Sequence, residues 1–168
     1  MLVTDTEVLE KAVAEFEPSH ADVLRPGWRN VQGADRESML MFFRAYEERG
    51  KGYTALVAGE PIAAAGVLVS PAGRAEAWGI VGPKIREYPL FVHRSALHGF
   101  QRLIDEYKLR RIETTVLFGD ETATRWIERM GFGAEGLMIG YGNSGESHIR
   151  YARLVQKGGR RVLLAEEH

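Results

Sequence analysis

The chain has 168 residues and no cysteine, which excludes disulfides, thiolate metal ligands and thiol nucleophiles. Its 22 lysines and arginines nearly balance 23 aspartates and glutamates, so the charge gives no indication of nucleic acid as a main partner. No apolar run approaches the roughly 20 residues of a membrane span, and the length predicts one domain that buries roughly 70% of its unfolded surface.

The N-terminal segment is predicted to form a short strand and a first helix. Leu2 and Val3 are sufficient for a strand if a neighbouring strand is available. The next apolar residues recur at helical spacing and form one stripe: Val8, Leu9, Ala12, Val13 and Phe16. Pro18 ends this helix because proline lacks the N–H that a helix interior needs. The early acidic residues are unlike the basic start of a signal peptide.

A loop and a second helix are predicted next. The loop spans Ser19–Gly33. The helix begins near Asp35, carries regularly spaced apolar residues and stops at Gly50.

A three-stranded meander is predicted between residues 53 and 81. Tyr53–Ala58 and Pro61–Val69 form a hairpin in which Gly59 supplies the positive φ of a two-residue turn. The second arm is apolar throughout, which predicts burial on both faces near the centre of a sheet. A turn at Pro71–Gly73 leads to the third strand, Ala75–Val81.

One long helix and three strands complete the predicted sheet. The helix runs from Leu90 to Tyr107 as an amphipathic pattern, with a proline in its first turn, where proline is tolerated. The three strands are Arg111–Phe118, Ala134–Tyr141 and His148–Leu154.

The residues Asp120–Phe132 carry the most specific pattern. Asp120 or Thr122 can cap a helix by accepting a hydrogen bond from a free backbone N–H. The helix is predicted over Glu121–Met130, and Gly131 tolerates the left-handed conformation that helix ends often need.

This strand, capped helix, glycine and aromatic residue resemble the C-terminal half of the pattern of GCN5-related N-acetyltransferases (GNAT). The order of predicted elements matches that family over residues 1–154. The resemblance implies an α/β (α+β) fold with a mixed, mostly antiparallel sheet of about six or seven strands and about four helices. It also implies transfer of an acetyl group from acetyl-CoA to an amine. Residues 155–168 fall outside this plan and form a tail, a candidate docking arm.

The resemblance places the cofactor at the fourth strand. In the family the fourth and fifth strands splay apart, and the pantetheine arm pairs with the backbone of the fourth like an added strand. Here that edge is Ala77–Val81. Lys84 and Arg86 can meet phosphates or be solvated loop residues. The candidate cofactor-binding residues are Trp78, Ile80, Val81, Lys84, Arg86 and Asp120.

Two positions depart from the family pattern. Ile127 stands where many members have a tyrosine that protonates the departing thiolate, and an alkyl side chain cannot donate a proton. The stretch Gly82–Pro89 stands where members have a glycine-rich turn for the pyrophosphate. It has no glycine after Gly82, and its two prolines have no N–H to offer. These departures predict weak CoA binding or none.

The candidate catalytic residues are Glu76 and Tyr141. Glu76 is either a general base or an edge residue in water. Tyr141 can replace the missing proton donor or pack at the end of its strand. Trp28 lies where the family binds the acceptor and either floors a substrate pocket or covers a sheet edge. His93 and His98 are five residues apart, so no metal pair is expected on that helix.

A second hypothesis assigns no catalysis. RWIERMGF, followed by a strand, a turn and HIRYARL, is similar to a divergent set of GNAT relatives encoded by tailed phages, some of which resemble an internal virion protein of T7-like phages. The partner is a small-molecule or protein amine for an enzyme, and phage or self chains bound through the tail for a structural protein. No membrane or clear nucleic-acid partner is expected. The expected compartment is the cytoplasm, or the virion interior.

Overall fold

A computed structural model describes residues 9–155, which form a seven-stranded sheet with helices on both faces. The strands are β1 (Lys11–Glu15), β2 (Gly50–Val57), β3 (Glu60–Ser70), β4 (Arg74–Val81), β5 (Arg111–Leu117), β6 (Gly133–Met138) and β7 (His148–Leu154). The helices are α1 (His20–Leu24), α2 (Ala34–Arg49), α3 (Pro89–Tyr107) and α4 (Glu121–Arg129). The strand order is β1-β2-β3-β4-β5-β7-β6, with β4 and β5 parallel and all other neighbours antiparallel. None of the helices in this described part is long and apolar enough to span a membrane.

The first helix of the sequence prediction is wrong. Lys11–Glu15 is a strand that pairs with β2, from Lys11 opposite Val57 to Glu15 opposite Tyr53. The weak helical stripe is overridden because the edge of β2 offers backbone hydrogen bonds, and because strand geometry delivers Phe16 to the core, where it is 4% exposed. The predicted strand at residues 2–3 lies outside the described residues.

The predicted loop at residues 19–33 is wrong in part, because it contains α1 and a 3₁₀ turn at Trp28–Asn30. The second helix, the meander and the long helix are confirmed as α2, β2–β4 and α3. The hairpin turn between β2 and β3 uses Ala58 and Gly59, both at positive φ. β6 ends at Met138, three residues earlier than predicted, so Tyr141 lies in the β6–β7 loop.

Each face of the sheet has its own apolar core. On one face α3 and α4 pack around residues that include the fully buried Val67 and Ile112. On the other face α1 and α2 pack against Phe16 and Ile80. β3 lies between β2 and β4 and is buried over most of its length, which confirms its predicted central position.

The two parallel strands diverge. β4 pairs with β5 at only three positions, Arg74–Glu76 opposite Arg111–Glu113. Beyond these positions β4 continues to Val81 and β5 to Leu117, but the two strands no longer pair with each other. This confirms the predicted splay. β5 instead stays paired with β7 along its whole length.

The helix after β5 begins and ends as its sequence predicts. The Ala123 N–H donates to Oδ1 of Asp120 at 3.0 Å, so Asp120 is the N-cap of α4. At the other end Gly131 has a φ of +94°. Met130 is 2% exposed, and Ile127 packs against the same core.

Replacing the cap should weaken the fold. Asp120→Ala leaves the Ala123 N–H without its acceptor and should lower the free energy of unfolding by about 1 kcal/mol. Asp120→Asn keeps a side-chain oxygen, so its free energy of unfolding should stay close to that of the parent protein. Urea denaturation followed by circular dichroism measures both, and equal losses in the two variants would contradict the capping role.

Candidate functional site

The gap between β4 and β5 is the candidate site. It begins beyond Glu76, where the Thr114 hydroxyl donates to the carbonyl oxygen of Ala77 at 3.3 Å. From Ala77 to Val81 the edge of β4 that faces β5 has no strand partner within residues 9–155, while the opposite edge stays paired with β3. Main-chain groups on such an edge can hydrogen-bond an extended ligand as an added strand.

The side chains of β4 divide between the two faces of the gap. Trp78 lies on the α2 face, with its ring centroid 4.8 Å from that of Phe16 and 5.0 Å from that of Phe42. Ile80 is 8% exposed in the same cluster. Val81 is 57% exposed on the α3 face. Trp78 and Ile80 therefore pack in the core, and it is through their backbone that they border the gap.

The indole N–H of Trp78 is a buried donor in the core on the α2 face. Among the described residues it has no hydrogen-bond partner. A buried N–H that lacks an acceptor costs free energy, typically about 1–3 kcal/mol. The six-membered ring of this indole lies against Gly52 on β2, on the side of β4 that faces away from the gap.

An ion-pair network adjoins the closed end of the gap. Glu76 is exposed and stands opposite Glu113, on the last paired rung, so both lie on the same face of the sheet. Glu113 accepts from Arg111 Nε at 2.7 Å and from Arg150 at 2.8 Å. Arg111 also forms a two-point pair with Glu135 on β6. The network joins β5, β7 and β6 beside Glu76.

The network fixes the ionisation of its carboxylates. The Arg111 guanidinium lowers the pKa of Glu113 and of Glu135, against a smaller opposing effect of burial. The pKa of Arg111 is raised by the same two partners. Arg111, Glu113 and Glu135 therefore stay charged at neutral pH. The ion pairs of Arg111 and Arg150 are with Glu113 and Glu135 and do not include the neighbouring Glu76.

The turn before α3 uses its backbone donors internally. A 3₁₀ turn spans Ile85–Glu87, and the N–H groups of Ile85, Glu87 and Tyr88 donate to carbonyls within the loop. Pro89 follows at the first position of α3 and has no N–H. These positions therefore cannot offer free N–H groups to a phosphate.

The two cations of that turn differ in availability. Lys84 donates to Glu60 at 2.8 Å, and this carboxylate raises the pKa of the lysine. Arg86 is exposed. Lys84 would have to exchange Glu60 for a phosphate, so Arg86 is the more available point charge.

The β6–β7 loop lies on the α2 face of the sheet. Tyr141 is 51% exposed, and its ring packs edge-on against His148 at 5.4 Å. The amide nitrogen of Asn143 donates to Asp35 and to Ser38, both in the first turns of α2. The loop thus brings Tyr141 to the same side of the sheet as Glu76.

Trp28 is a core residue. It is 8% exposed, its indole N–H donates to Asp22 at 2.9 Å, and its ring lies 5.0 Å from that of Phe43. Of the two interpretations of Trp28, packing is the one that the geometry favours. No group of metal-ligating side chains occurs among the described residues.

Sequence reasoning missed Thr114 and the Arg111 network. The sequence does indicate one pair of this network, because residues two apart in a strand, such as Arg111 and Glu113, lie on the same face. Glu135 and Arg150 become their neighbours only through the register of β7 against β5 and β6.

Comparisons with known proteins identify the fold. No protein-family model and no curated protein matches the chain. Among solved structures, Ard1 from Thermoplasma volcanium is 17% identical with a TM-score of 0.69, covering 88% of this chain and 99% of its own. The ribosomal-protein-S18-alanine N-acetyltransferase from Escherichia coli is 16% identical with a TM-score of 0.66, covering 92% and 100%. An acetyltransferase of the GNAT family from Streptococcus pneumoniae is 13% identical with a TM-score of 0.61, covering 88% and 100%. The chain therefore has the GNAT acetyltransferase fold.

Without Arg111, the free energy of unfolding should change less as the pH falls into the acid range. The lowered pKa values mean that Glu113 and Glu135 stabilise the fold above their unfolded pKa, and that this contribution is lost as pH falls through their folded pKa values. Arg111→Met should cost about 1–2 kcal/mol at pH 7. When the pH falls below about 4.5, the free energy of unfolding of Arg111→Met should then decrease less than that of the parent protein.

Arg74→Met is the matched control, since Arg74 stands opposite Arg111 on the same face and is exposed. Urea titrations at several pH values between neutrality and pH of about 3 measure both variants. If the free energy of unfolding of Arg111→Met depends on pH as steeply as that of the parent protein, Arg111 does not lower the pKa values of Glu113 and Glu135.

Proposed function

We propose that the chain is an N-acyltransferase that uses acetyl-CoA and acetylates an amine. The single observation that supports this most is the unpaired edge Ala77–Val81 in the gap between β4 and β5. It fits the pantetheine arm because the arm's amides can replace the missing strand. The pyrophosphate end fits less well, since the turn before α3 has used three of its N–H groups.

Two side chains would handle the protons. Acetyl-CoA, when bound, supplies the carbonyl carbon that the amine attacks, and its carbon–sulfur bond breaks as the carbon–nitrogen bond forms. Glu76 would accept the proton that the amine loses, directly or through a water. Tyr141 would give its hydroxyl proton to the departing sulfur, because Ile127 has none to give, and would recover it from solvent.

The alternative is a GNAT-fold protein without catalysis, related to the phage-encoded set and working as a virion or assembly component. It is supported by the pairing of Lys84 with Glu60, the internally bonded 3₁₀ turn and the packing of Ile127 into the core. In this alternative the docking arm is residues 156–168, which lie outside the described part. Val155, predicted to open that tail, still bonds to Arg110 at 2.9 Å.

Calorimetric titration with acetyl-CoA tests the enzyme hypothesis. The parent protein should bind, and Gly79→Val should weaken binding at least about tenfold because it places a side chain beside the free edge, a loss of about 1.4 kcal/mol. A Cβ at Gly79 would meet only the Ala64 carbonyl oxygen at 3.7 Å, so the variant should fold.

Gly136→Val on β6, where a Cβ would meet nothing within 4 Å, is the control and should bind as the parent does. Absence of binding at millimolar acetyl-CoA would reject the acetyltransferase.

Truncation tests the docking arm. A chain that ends at Val155 should keep its fold, because Val155 retains its bond to Arg110. If residues 156–168 dock onto another copy, size-exclusion chromatography with light scattering should show fewer chains per assembly for the truncated protein. The same number of chains per assembly in both proteins would argue against docking between copies.

A further inference from the structure

A basic depression lies on the protein surface between α3 and α4. It is lined by His93 of α3 and by Arg125, Glu128 and Arg129 of α4. We call it the α3–α4 depression. It is shallow and open to solvent, so it suits a charged group that stays partly hydrated better than an apolar ligand.

The two arginines of the depression are available to a ligand. Arg129 is exposed, and its side chain forms no hydrogen bond or ion pair with another described residue. Arg125 pairs with Glu121 at 3.2 Å, but the two side chains are 67% and 82% exposed. An exposed pair of this kind contributes little, so a phosphate can replace Glu121 as the partner of Arg125. Two guanidinium groups and a single carboxylate, that of Glu128, leave the lining with a net positive charge.

The depression adjoins the free edge of β4. Val92 of α3 and Trp126 of α4 line a narrow space beside Val81, on the unpaired segment of that strand. Their direct neighbours in the chain, His93 and Arg125, line the depression. A ligand that follows the edge of β4 and leaves it between the two helices therefore reaches the depression next.

The depression also lies close to the turn before α3, since His93 stands one helical turn after Pro89. That turn has bonded three of its N–H groups internally, and Lys84 is paired with Glu60. A phosphate-bearing ligand at this end of the gap must therefore find other donors. Arginine is well suited, because its planar guanidinium can form two charge-assisted hydrogen bonds to one phosphate.

We propose that the α3–α4 depression binds phosphate groups of CoA through Arg125 and Arg129. The assignment to CoA rests on the proposed transferase function, whereas the affinity of the depression for a phosphate-bearing nucleotide does not. The two arginines stand four residues apart on one face of α4 and do the work that free N–H groups of the turn cannot do. His93 borders the same anion and can donate a further hydrogen bond to it.

Calorimetric titration with adenosine 3′,5′-bisphosphate, a fragment of CoA without the pantetheine arm, tests the depression. Arg125→Met and Arg129→Met should each weaken binding at least about tenfold, because each removes a charge-assisted contact. Methionine favours helix about as well as arginine, so both variants should fold, which circular dichroism checks. Glu128→Gln removes the carboxylate of the lining and should tighten binding, a gain that damage to the fold would not produce.

Arg44→Met is the matched control. It removes the same charge from an exposed position on α2, which packs on the other face of the sheet, and should bind as the parent does. Absence of binding at millimolar nucleotide, or equal binding by the folded Arg125→Met and Arg129→Met variants, would overturn the proposal.

Acetyl-CoA and acetyl-pantetheine separate this proposal from the proposed function. If both hold, the two arginine variants weaken acetyl-CoA but not acetyl-pantetheine, which has no phosphate, and Gly79→Val weakens acetyl-CoA but not the nucleotide. If acetyl-CoA binds no more tightly than the nucleotide and Gly79→Val has no effect, the transferase is rejected and the depression remains a phosphate site. Binding of acetyl-CoA that neither arginine variant changes would reject the depression alone.

Discussion

The structure depends on how briefly β4 and β5 pair. Three rungs join the halves of the sheet, and beyond Glu76 the two strands separate. Unpaired backbone groups at the centre of a sheet are costly unless a ligand or water satisfies them. α3 and the core around Ile112 cover one face of the junction, and the Thr114 hydroxyl satisfies the carbonyl of Ala77 where the strands part. Every chemical property proposed for the chain follows from that opening.

The two sides of the opening have different characters. On the α2 side are the exposed Glu76, the Arg111 network and the loop that carries Tyr141, so this side is polar and charged. On the α3 side the lining carries no charged side chain and consists mainly of small apolar and aromatic residues.

Local signals predicted most of the fold, and long-range register decided the rest. The cap at Asp120 and the meander were predictable because their determinants lie within a few residues. β1 was not, since only the free edge of β2 selects a strand there over the helical stripe. The free edge of β4 followed from a family resemblance. The contacts of Thr114 and Glu135 depend on which strands become neighbours, and one-dimensional spacing does not contain that information.

The bond from Asn143 to Asp35 joins positions 108 residues apart. It ties the last hairpin to the start of α2, across the face that holds Glu76. Contacts of such high sequence separation carry a large loop-closure entropy and form after local ones. The contact between this loop and α2 can therefore form only after the β6–β7 loop has been made. During synthesis from the N-terminus, the residues of α2 and β4 leave the ribosome before Asn143 exists to join them to the last hairpin.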